Sequence, residues 1–276
     1  MAVLWTQAHL LEHPSDHMNR HLHRTVNLRL LSGALGLITL IAACGGGASD
    51  ARLATISAIT PDAALAFDRP ATFSVKGTNL DIGLSASAAG CSNPLVLSGG
   101  TATSVQMRCT PERDGNISVN LHAPSGEVLR TALFAVPKPQ LQMVTSVGSL
   151  LIELEPTKAP ITVKNFLDYV QDGFFANTVF HRVYSSFVAQ GGAFTFLDAN
   201  YIAKAPTRPP IPLERTSFTG LTNLAGTIGM ARASAPDSAT TQFYINLADN
   251  VFLDAERSTD GNGYAVFGKL LWGETV

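Results

Sequence analysis

Apolar and polar residues alternate along much of the first half of the chain. Residues 72–76, 104–109 and 116–121 each place apolar side chains at every second position, which is the pattern of a strand buried on one face. Turn-forming glycine, serine, asparagine and proline separate these runs, at a spacing of about ten residues between strands. Short strands at this spacing predict a small β-sandwich over residues 51–136.

The pattern changes beyond a proline-rich segment, and residues 137–141 are predicted to link two domains. Two further strands are expected at residues 142–146 and 150–154. They precede a helix that has Pro160 in its first turn and a stripe of four apolar residues at helical spacing, Val163, Phe166, Leu167 and Val170. A second domain of strands and helices is therefore predicted over residues 142–276.

A short apolar run near the start indicates a secretory signal. Three arginines precede the apolar residues 30–43, a run shorter than the roughly 20 residues that a membrane-spanning helix needs and typical of a signal peptide. Residues 40–44 read Leu-Ile-Ala-Ala-Cys, which resembles the lipobox of bacterial lipoproteins. That resemblance implies lipidation of Cys44, removal of residues 1–43 as a leader and a flexible tether at residues 44–50. A simple signal peptide with an unrelated cysteine is the alternative.

The first residues of the chain do not fit a leader. His9, His13 and His17 are spaced by four residues, which suggests a metal site, but a removed segment is a poor place for one. We therefore expect translation to begin at Met18 and residues 1–17 to be an artefact of gene-start assignment.

The net charge and the cysteine content bear on what the protein binds and on the compartment in which it works. The formal net charge is −2 and the pI is about 6.4, so the sequence has no electrostatic footprint for binding nucleic acid. With Cys44 assigned to lipid, Cys91 and Cys109 remain. A pair of cysteines in an oxidising compartment favours a disulfide, and two buried free thiols are the alternative.

The second domain contains a dense set of candidate functional residues. Residues 180–192 read FHRVYSSFVAQGG, residues 226–232 read GTIGMAR and residues 242–245 read QFYI. In order and spacing they resemble the signatures of the cyclophilins, the cyclophilin-type peptidyl-prolyl cis-trans isomerases, which read F-H-R-(V/I)-x-x-x-F-(M/V)-x-Q-G-G, G-T-(I/L)-x-M-A-(R/N) and Q-F-(F/Y)-I. Several motifs in one order are more specific than a single short pattern. The resemblance covers residues 142–276.

The resemblance implies a mainly β fold, an eight-stranded antiparallel barrel with covering helices. Family members continue beyond the position of Val276 through a further helix and a closing strand. We therefore expect the barrel to be incomplete at its C-terminus and to leave strand edges unpaired. The first domain more loosely resembles the immunoglobulin-like modules of bacterial surface proteins.

The activity that the resemblance implies is rotation about the amide bond that precedes proline, whose uncatalysed barrier is about 18–20 kcal/mol. In the twisted amide the nitrogen lone pair is no longer delocalised and accepts a hydrogen bond. An arginine suits the donor role because it stays charged and presents a rigid fork of N–H groups. No bond is cleaved and no proton is removed, so no cofactor or metal is expected.

By resemblance, the catalytic residues are Arg182, Phe187 and Gln190, with Arg182 as the donor and Gln190 as the residue that orients it. The expected substrate-binding residues wall the proline ring or line the groove for the flanking peptide: Val188, Ala231, Arg232, Gln242, Tyr244, Phe252, Leu253 and Tyr264. Tyr244 stands where phenylalanine is commonest in the family. Phe252 replaces the tryptophan of many eukaryotic members, which implies weak cyclosporin binding.

The sequence thus predicts an isomerase that speeds the folding of envelope proteins, with proline-containing polypeptides as its partners. Because Gly45 is not the aspartate that retains lipoproteins in the inner membrane, we expect a monomer anchored in the outer membrane and facing the periplasm. A non-catalytic scaffold lipoprotein that binds proline-containing segments is one alternative. A serine hydrolase using Ser185 or Ser238 with His181 is another, disfavoured because the chain lacks a G-x-S-x-G motif.

Overall fold

The computed structural model describes residues 3–10 and 53–273. The expected lipidation site Cys44, the tether at residues 44–50 and the leader beyond residue 10 lie outside the described residues. Val3–Leu10 forms the first strand, β1. The described chain is mainly β, as predicted, with one long helix and several short helical turns. Within these residues, no helix combines the length and apolarity needed to cross a membrane.

The first domain is built from two antiparallel sheets. Its strands are β2 (Thr55–Pro61), β3 (Ala71–Thr78), β4 (Ser85–Ala89), β5 (Cys91–Val96), β6 (Ser104–Pro111), β7 (Gly115–His122) and β8 (Val128–Val136). They pair in the order β2-β3-β6-β5 in one sheet and β4-β7-β8 in the other. A disulfide joins Cys91 of β5 to Cys109 of β6, which confirms the pairing expected from the sequence.

Side chains from both sheets of the first domain share one core. Phe73, Val75 and Met107 of the first sheet and Ile117 and Val119 of the second are fully buried and belong to a single cluster. Because successive strand side chains point to opposite faces, the alternating pattern places one apolar row of each sheet inside. The predicted sandwich of residues 51–136 therefore has its physical basis in this shared core.

A curled sheet of nine antiparallel strands forms most of the second domain. Its elements are β9 (Gln140–Thr145), β10 (Gly148–Leu154), α1 (Pro160–Gln171), β11 (Val179–Phe180), β12 (Arg182–Val183), β13 (Val188–Gly191), β14 (Phe194–Leu197), β15 (Asn200–Ala203), α2 (Thr216–Thr219), β16 (Thr227–Met230), β17 (Phe243–Asn246) and β18 (Val266–Gly273). The order in the large sheet is β11-β1-β9-β10-β18-β16-β17-β13-β12. Strands β14 and β15 form a separate hairpin.

The large sheet curls back on itself. Its two end strands, β11 and β12, are separated in the chain only by His181. The backbone N–H of His181 donates to the carbonyl oxygen of Gln190 in β13 at 3.1 Å, so the two ends of the sheet meet. The sheet has nine strands where the resemblance implies eight, and β1 is one of the nine.

Helix α1 begins at Pro160, as predicted, and its expected apolar stripe is buried. Phe166 lies at the centre of this packing. Its ring centroid is 5.2 Å from that of Phe175, 5.6 Å from that of Phe243 and 5.1 Å from that of Phe267. Aromatic pairs of this kind stabilise by about 0.5–1.5 kcal/mol beyond their area burial, so Phe166 ties the helix to β17 and β18.

The first domain also touches helix α1. Phe67, in the connection between β2 and β3, is buried in the same cluster as the core of the second domain. The Nζ atom of Lys164 in α1 lies 2.6 Å from a carboxylate oxygen of Asp68. The backbone N–H of Thr157 donates to the side chain of Asp114 at 2.9 Å. These contacts hold the two domains together in addition to the three residues 137–139 that join β8 to β9.

Strand β1 occupies an edge that the sequence analysis expects to be unpaired. Its backbone runs antiparallel to β9, from Trp5 opposite Thr145 to Leu10 opposite Leu141, and it also pairs with β11. The expectation that this sheet edge stays open thus differs from the structure, and the expectation that translation begins at Met18 stays a prediction. Edge strands present rows of unpaired N–H and C=O groups, and an extended segment that reaches them can pair.

We expect a chain that begins at Met18 to melt at a lower temperature than the full chain. The shorter chain lacks β1, which pairs with both β9 and β11. A domain of this size loses about 2–4 °C in Tm for each kcal/mol of stability, which a thermal melt resolves. Deletion of residues 12–17 alone is the control, since it leaves β1 in place. Equal melting temperatures for all three chains would support the expectation that residues 1–17 are an artefact of gene-start assignment.

Candidate functional site

A row of residues across four strands organises the candidate site. Arg182 in β12 lies opposite Gln190 in β13, Gln190 lies opposite Tyr244 in β17, and Tyr244 lies opposite Gly229 in β16. Directly opposed residues of an antiparallel pair lie on the same face of the sheet. Three of the residues expected in the site, together with one glycine, therefore share a single row.

Polar side chains continue this row as a line of hydrogen bonds. Arg182 donates from Nη1 to Oε1 of Gln190 at 3.4 Å. The amide nitrogen of Gln190 donates to Oε1 of Gln242 at 2.9 Å. Because the Gln190 amide has its oxygen toward Arg182 and its nitrogen toward Gln242, its orientation is set from both sides. This arrangement suits the orienting role that the resemblance implies for Gln190.

Aromatic rings flank the guanidinium of Arg182. Its central carbon lies 5.1 Å from the ring centroid of Tyr184 and 5.7 Å from that of Phe187, distances at which a cation and a ring attract each other. Phe187 stacks on Phe252 with centroids 5.8 Å apart. Arg182 itself is exposed, so its guanidinium is a charged donor that solvent can reach beside these rings.

Tyr244 is almost entirely buried, with 4% of its surface exposed. Its hydroxyl donates to Oδ1 of Asn223 at 2.7 Å, and its ring meets that of Tyr264 edge-on at 6.2 Å. Burial raises the pKa of Tyr244 well above its usual value, because a phenolate would lose its hydration. The hydroxyl that departs from the family pattern is thus a protonated donor turned away from the surface.

Gly229 leaves the space that the Tyr244 ring occupies. A Cβ atom at Gly229 would lie 2.4 Å from both Cζ and the hydroxyl oxygen of Tyr244, far inside van der Waals contact. The backbone of Gly229 is not among the positive-φ glycines, so the need for glycine here is steric. Gly229 and Tyr244 therefore form a matched pair.

A cluster of buried asparagines lies next to Tyr244. The side-chain amide of Asn223 donates to Asp254 at 2.8 Å and its oxygen also accepts from Asn246 at 3.2 Å. The side-chain amide of Asn250 donates both to Oδ1 of Asn246 at 2.8 Å and to the carbonyl oxygen of Phe187 at 2.8 Å. We call these four residues, Asn223, Asn246, Asn250 and Asp254, the asparagine cluster. It links the Tyr244 hydroxyl to the backbone of Phe187.

The Arg232 guanidinium contacts other residues of this chain on several sides. Its guanidinium forms an ion pair with Asp260, donates to the carbonyl oxygen of Gly263 at 2.9 Å and lies 4.6 Å from the ring centroid of Tyr264. The backbone N–H of Asn262 and the Arg232 guanidinium hold the pKa of Asp260 well below its usual range. Arg232 thus anchors the loop that carries Tyr264, and its charge is already paired.

The other predicted site residues lie on the same elements. Val188 is buried in β13, and Phe252 and Leu253 belong to a short 3₁₀ turn, Val251–Leu253, where Phe252 is exposed and Leu253 half-buried. Ala231 is half-buried and its backbone N–H donates to the carbonyl oxygen of Gln242 at 2.9 Å. Their positions are compatible with a wall and a groove beside Arg182, and their individual roles stay predictions.

The residues of the hydrolase alternative do not form a serine–histidine pair in the described part of the chain. The His181 ring packs edge-on against Phe194, with centroids 4.7 Å apart, and burial lowers the pKa of its imidazole. The hydroxyl of Ser238 donates to the carbonyl oxygen of Ala235 and accepts from the N–H of Ala233. Among the described residues, no serine forms a hydrogen bond with His181, and no three His, Cys, Asp or Glu are grouped to hold a metal ion.

Sequence reasoning missed the asparagine cluster and the Gly229–Tyr244 pair. Asparagines usually lie at the surface, so nothing in their spacing indicates that three of them are buried together. The tyrosine that replaces phenylalanine was the available signal, since a buried hydroxyl needs a hydrogen-bond partner.

The arrangement by itself indicates a class of protein. A mainly β scaffold presents an arginine fork, an amide that orients it and an apolar wall, without a serine–histidine pair in the described site. Such a site can bind a peptide and donate hydrogen bonds to it, and it needs no covalent step.

Comparison with known proteins names the class. The family model of the cyclophilin type peptidyl-prolyl cis-trans isomerases matches residues 140–276. Peptidyl-prolyl cis-trans isomerase A of Dickeya dadantii is 46% identical over 145 residues, which cover 52% of this chain and 72% of that protein. A peptidyl-prolyl cis-trans isomerase of Acinetobacter baylyi is 47% identical over 142 residues, covering 51% and 71%. Peptidyl-prolyl cis-trans isomerase B of Escherichia coli is 47% identical over 133 residues, covering 48% and 77%.

The chain therefore belongs to the family of cyclophilin-type peptidyl-prolyl cis-trans isomerases. This confirms the family, the enzyme class and the mainly β fold expected from the sequence. Among solved structures, a cyclophilin type peptidyl-prolyl cis-trans isomerase of Cryptosporidium parvum is 27% identical, with a TM-score of 0.39 and coverage of 48% of this chain and 78% of that chain. The family match does not include residues 1–139.

We expect Gly229→Ala to destabilise the protein by about 1–3 kcal/mol, the usual cost of overpacking a core, because the new methyl group would collide with the anchored Tyr244 ring. In a Tyr244→Phe background the same substitution should cost less, since a phenyl ring has no hydroxyl and is not tied to Asn223. Chemical unfolding of the single and double variants measures this coupling. Tyr264→Phe is the control, and it should not reduce the destabilisation that Gly229→Ala causes. Strict additivity of Gly229→Ala and Tyr244→Phe would refute the matched pair.

Proposed function

We propose that this chain accelerates cis-trans rotation of X-Pro bonds in flexible polypeptides through a hydrogen bond from Arg182 to the twisted amide. The observation that carries the proposal is the position of the Arg182 guanidinium. Gln190 contacts it on one side, and the rings of Tyr184 and Phe187 flank it on another. A donor held in place before the reaction costs no reorganisation when the transition state forms.

The reaction itself needs little from the protein. The barrier of about 18–20 kcal/mol arises from loss of amide resonance. When the amide twists, the lone pair returns to nitrogen and becomes a hydrogen-bond acceptor. A donor that bonds this nitrogen interacts more strongly with the transition state than with the planar ground state, and only such differential binding raises the rate. A cofactor has no part in this mechanism.

The apolar side chains beside Arg182 give the proline ring a place to bind. Phe187 and Phe252 form a stacked pair, and Val188 and Leu253 extend the apolar surface. Tyr244 supports the pocket from below, because its ring is buried and its hydroxyl is engaged. Ala231 and Gln242 then line the groove for the residues that precede and follow the proline.

Arg182→Ala should lower kcat/KM toward a short X-Pro peptide by about 10²–10³-fold, by analogy with the loss of one oxyanion-hole donor. Arg182→Lys should not restore the rate, because an ammonium group lacks the planar fork. A protease-coupled isomerisation assay measures both. Arg108→Ala, which removes an exposed arginine of the first domain, is the control and should behave as wild type. A folded Arg182→Ala protein with wild-type rate would remove Arg182 from the mechanism, while peptide binding without any rate in the wild type would favour the non-catalytic alternative.

We further propose that the protein works in the bacterial cell envelope, attached through lipid on Cys44 and acting on envelope proteins. The Leu-Ile-Ala-Ala-Cys sequence of residues 40–44 supports this location. The disulfide between Cys91 and Cys109 also supports it, because such bonds persist in oxidising compartments.

Cys44→Ser should release the protein from the membrane fraction into the soluble periplasmic fraction. Each buried CH₂ of an acyl chain contributes about 0.8 kcal/mol to membrane binding, so loss of the lipid should remove the anchor. Fractionation of cells followed by detection of the protein measures the distribution. Cys91→Ser serves as the control for loss of a cysteine and should remain with the membrane. A Cys44→Ser protein that sediments with membranes as the wild type does would exclude the lipid anchor.

A further inference from the structure

A hairpin beside the site exposes apolar side chains that neither the fold nor the proline pocket uses. Strands β14 and β15 form a two-stranded sheet of their own. Four of their residues are large, apolar and about half exposed or more: Phe196 (44%), Leu197 (63%), Tyr201 (51%) and Ile202 (48%). Asp198 is the one charged residue among residues 194–203. Phe196 and Tyr201 lie opposite each other on one face of the hairpin, and Leu197 and Ile202 lie on the other face. Exposed apolar surface of this kind marks a place where other molecules bind.

Aromatic contacts connect the hairpin to the strand that carries Arg182. The ring of His181, the residue before Arg182, lies 4.7 Å from that of Phe194. Phe194 in turn lies 6.1 Å from Tyr201, and Tyr201 lies 5.3 Å from Phe196. Along the chain, β14 begins three residues after β13 ends. The hairpin therefore follows β13 closely in the chain and packs, through Phe194, against the residue that precedes Arg182.

The hairpin also has an open backbone edge. Among the described residues, β15 pairs with β14 and with no other strand. Its outer N–H and C=O groups can add an extended peptide as a further strand, while neighbouring apolar side chains contact the side chains of that peptide. An extended, apolar and flexible segment is the ligand that suits both features.

We propose that the hairpin of residues 194–203 is a second binding site for the same unfolded polypeptide whose X-Pro bond occupies the Arg182 site. It would take an uncharged, apolar segment that flanks the proline at a distance, so that unfolded proteins are better substrates than short peptides. This inference rests on the proposed function. A lipid surface is a poorer occupant, because residues 194–203 include no lysine or arginine to attract anionic headgroups.

The test uses the full chain with Phe196→Thr and Tyr201→Thr combined, since threonine keeps the strand preference of the hairpin and removes its aromatic surface. Leu133→Thr is the matched control, because Leu133 is an apolar strand residue with 68% exposure in the first domain. Two rates are measured. One is isomerisation of a short X-Pro peptide, and the other is the refolding of an unfolded protein whose slow step is X-Pro isomerisation. Fluorescence anisotropy also measures binding of a labelled, reduced and alkylated polypeptide.

The double variant should isomerise the short peptide at the wild-type rate. Its acceleration of refolding should fall roughly fivefold, as expected for lost aromatic contacts. Its affinity for the labelled polypeptide should fall by a similar factor. Leu133→Thr should change none of these. Unchanged refolding and unchanged binding in the double variant would overturn the inference, and so would an equal loss on short peptide and protein. If wild type binds the polypeptide through the hairpin but accelerates neither reaction, the proposed function fails and the second binding site stands.

Discussion

The hydrogen-bonded cluster around the Asn223 side chain is the constraint on which the site depends. Asn223 accepts from the Tyr244 hydroxyl and donates to Asp254, and Asn250 completes the connection to the Phe187 backbone. The side chains of Asn223, Tyr244, Asn250 and Asp254 are buried, so losing one partner would leave another unsatisfied at a cost of about 1–3 kcal/mol. The apolar wall of the pocket therefore owes its position to a polar interior.

Strand β17 transmits this constraint to the rest of the domain because all four of its residues are buried. On one face Phe243 packs edge-on against Phe166 of α1 and Phe175. On the other face Tyr244 meets Gly229 and the asparagine cluster. The strand is held from both sides, so the row from Arg182 through Gln190 to Tyr244 rests on a rigid support. Along this row the exposure falls from Arg182, which is exposed, through Gln190, which is half-buried, to Tyr244, which is buried.

The sequence predicted those parts that depend on local pattern. Alternation located the strands of the first domain, helical spacing located α1, and the motifs identified Arg182, Gln190 and Tyr244. It could not predict features that depend on distant residues meeting. Asn223 and Asp254 lie 31 residues apart and carry no pattern that indicates burial. The hairpin of β14 and β15 also escaped, because its apolar residues are exposed and a binary pattern assigns such residues to a core.

The proposed lipoprotein processing would act on strand β1. Cleavage before Cys44 would release residues 1–43, and with them the strand that pairs with β9 and β11. Losing β1 would affect the two strands next to it, β9 and β11, in different ways. From β9, the strands β10, β18 and β16 all intervene before β17, so the asparagine cluster lies far from that edge. From β11 the path is short, because β11 ends at Phe180 and His181 connects it directly to Arg182. Any effect of losing β1 on the site would therefore travel through β11 and reach the arginine before it reaches the pocket.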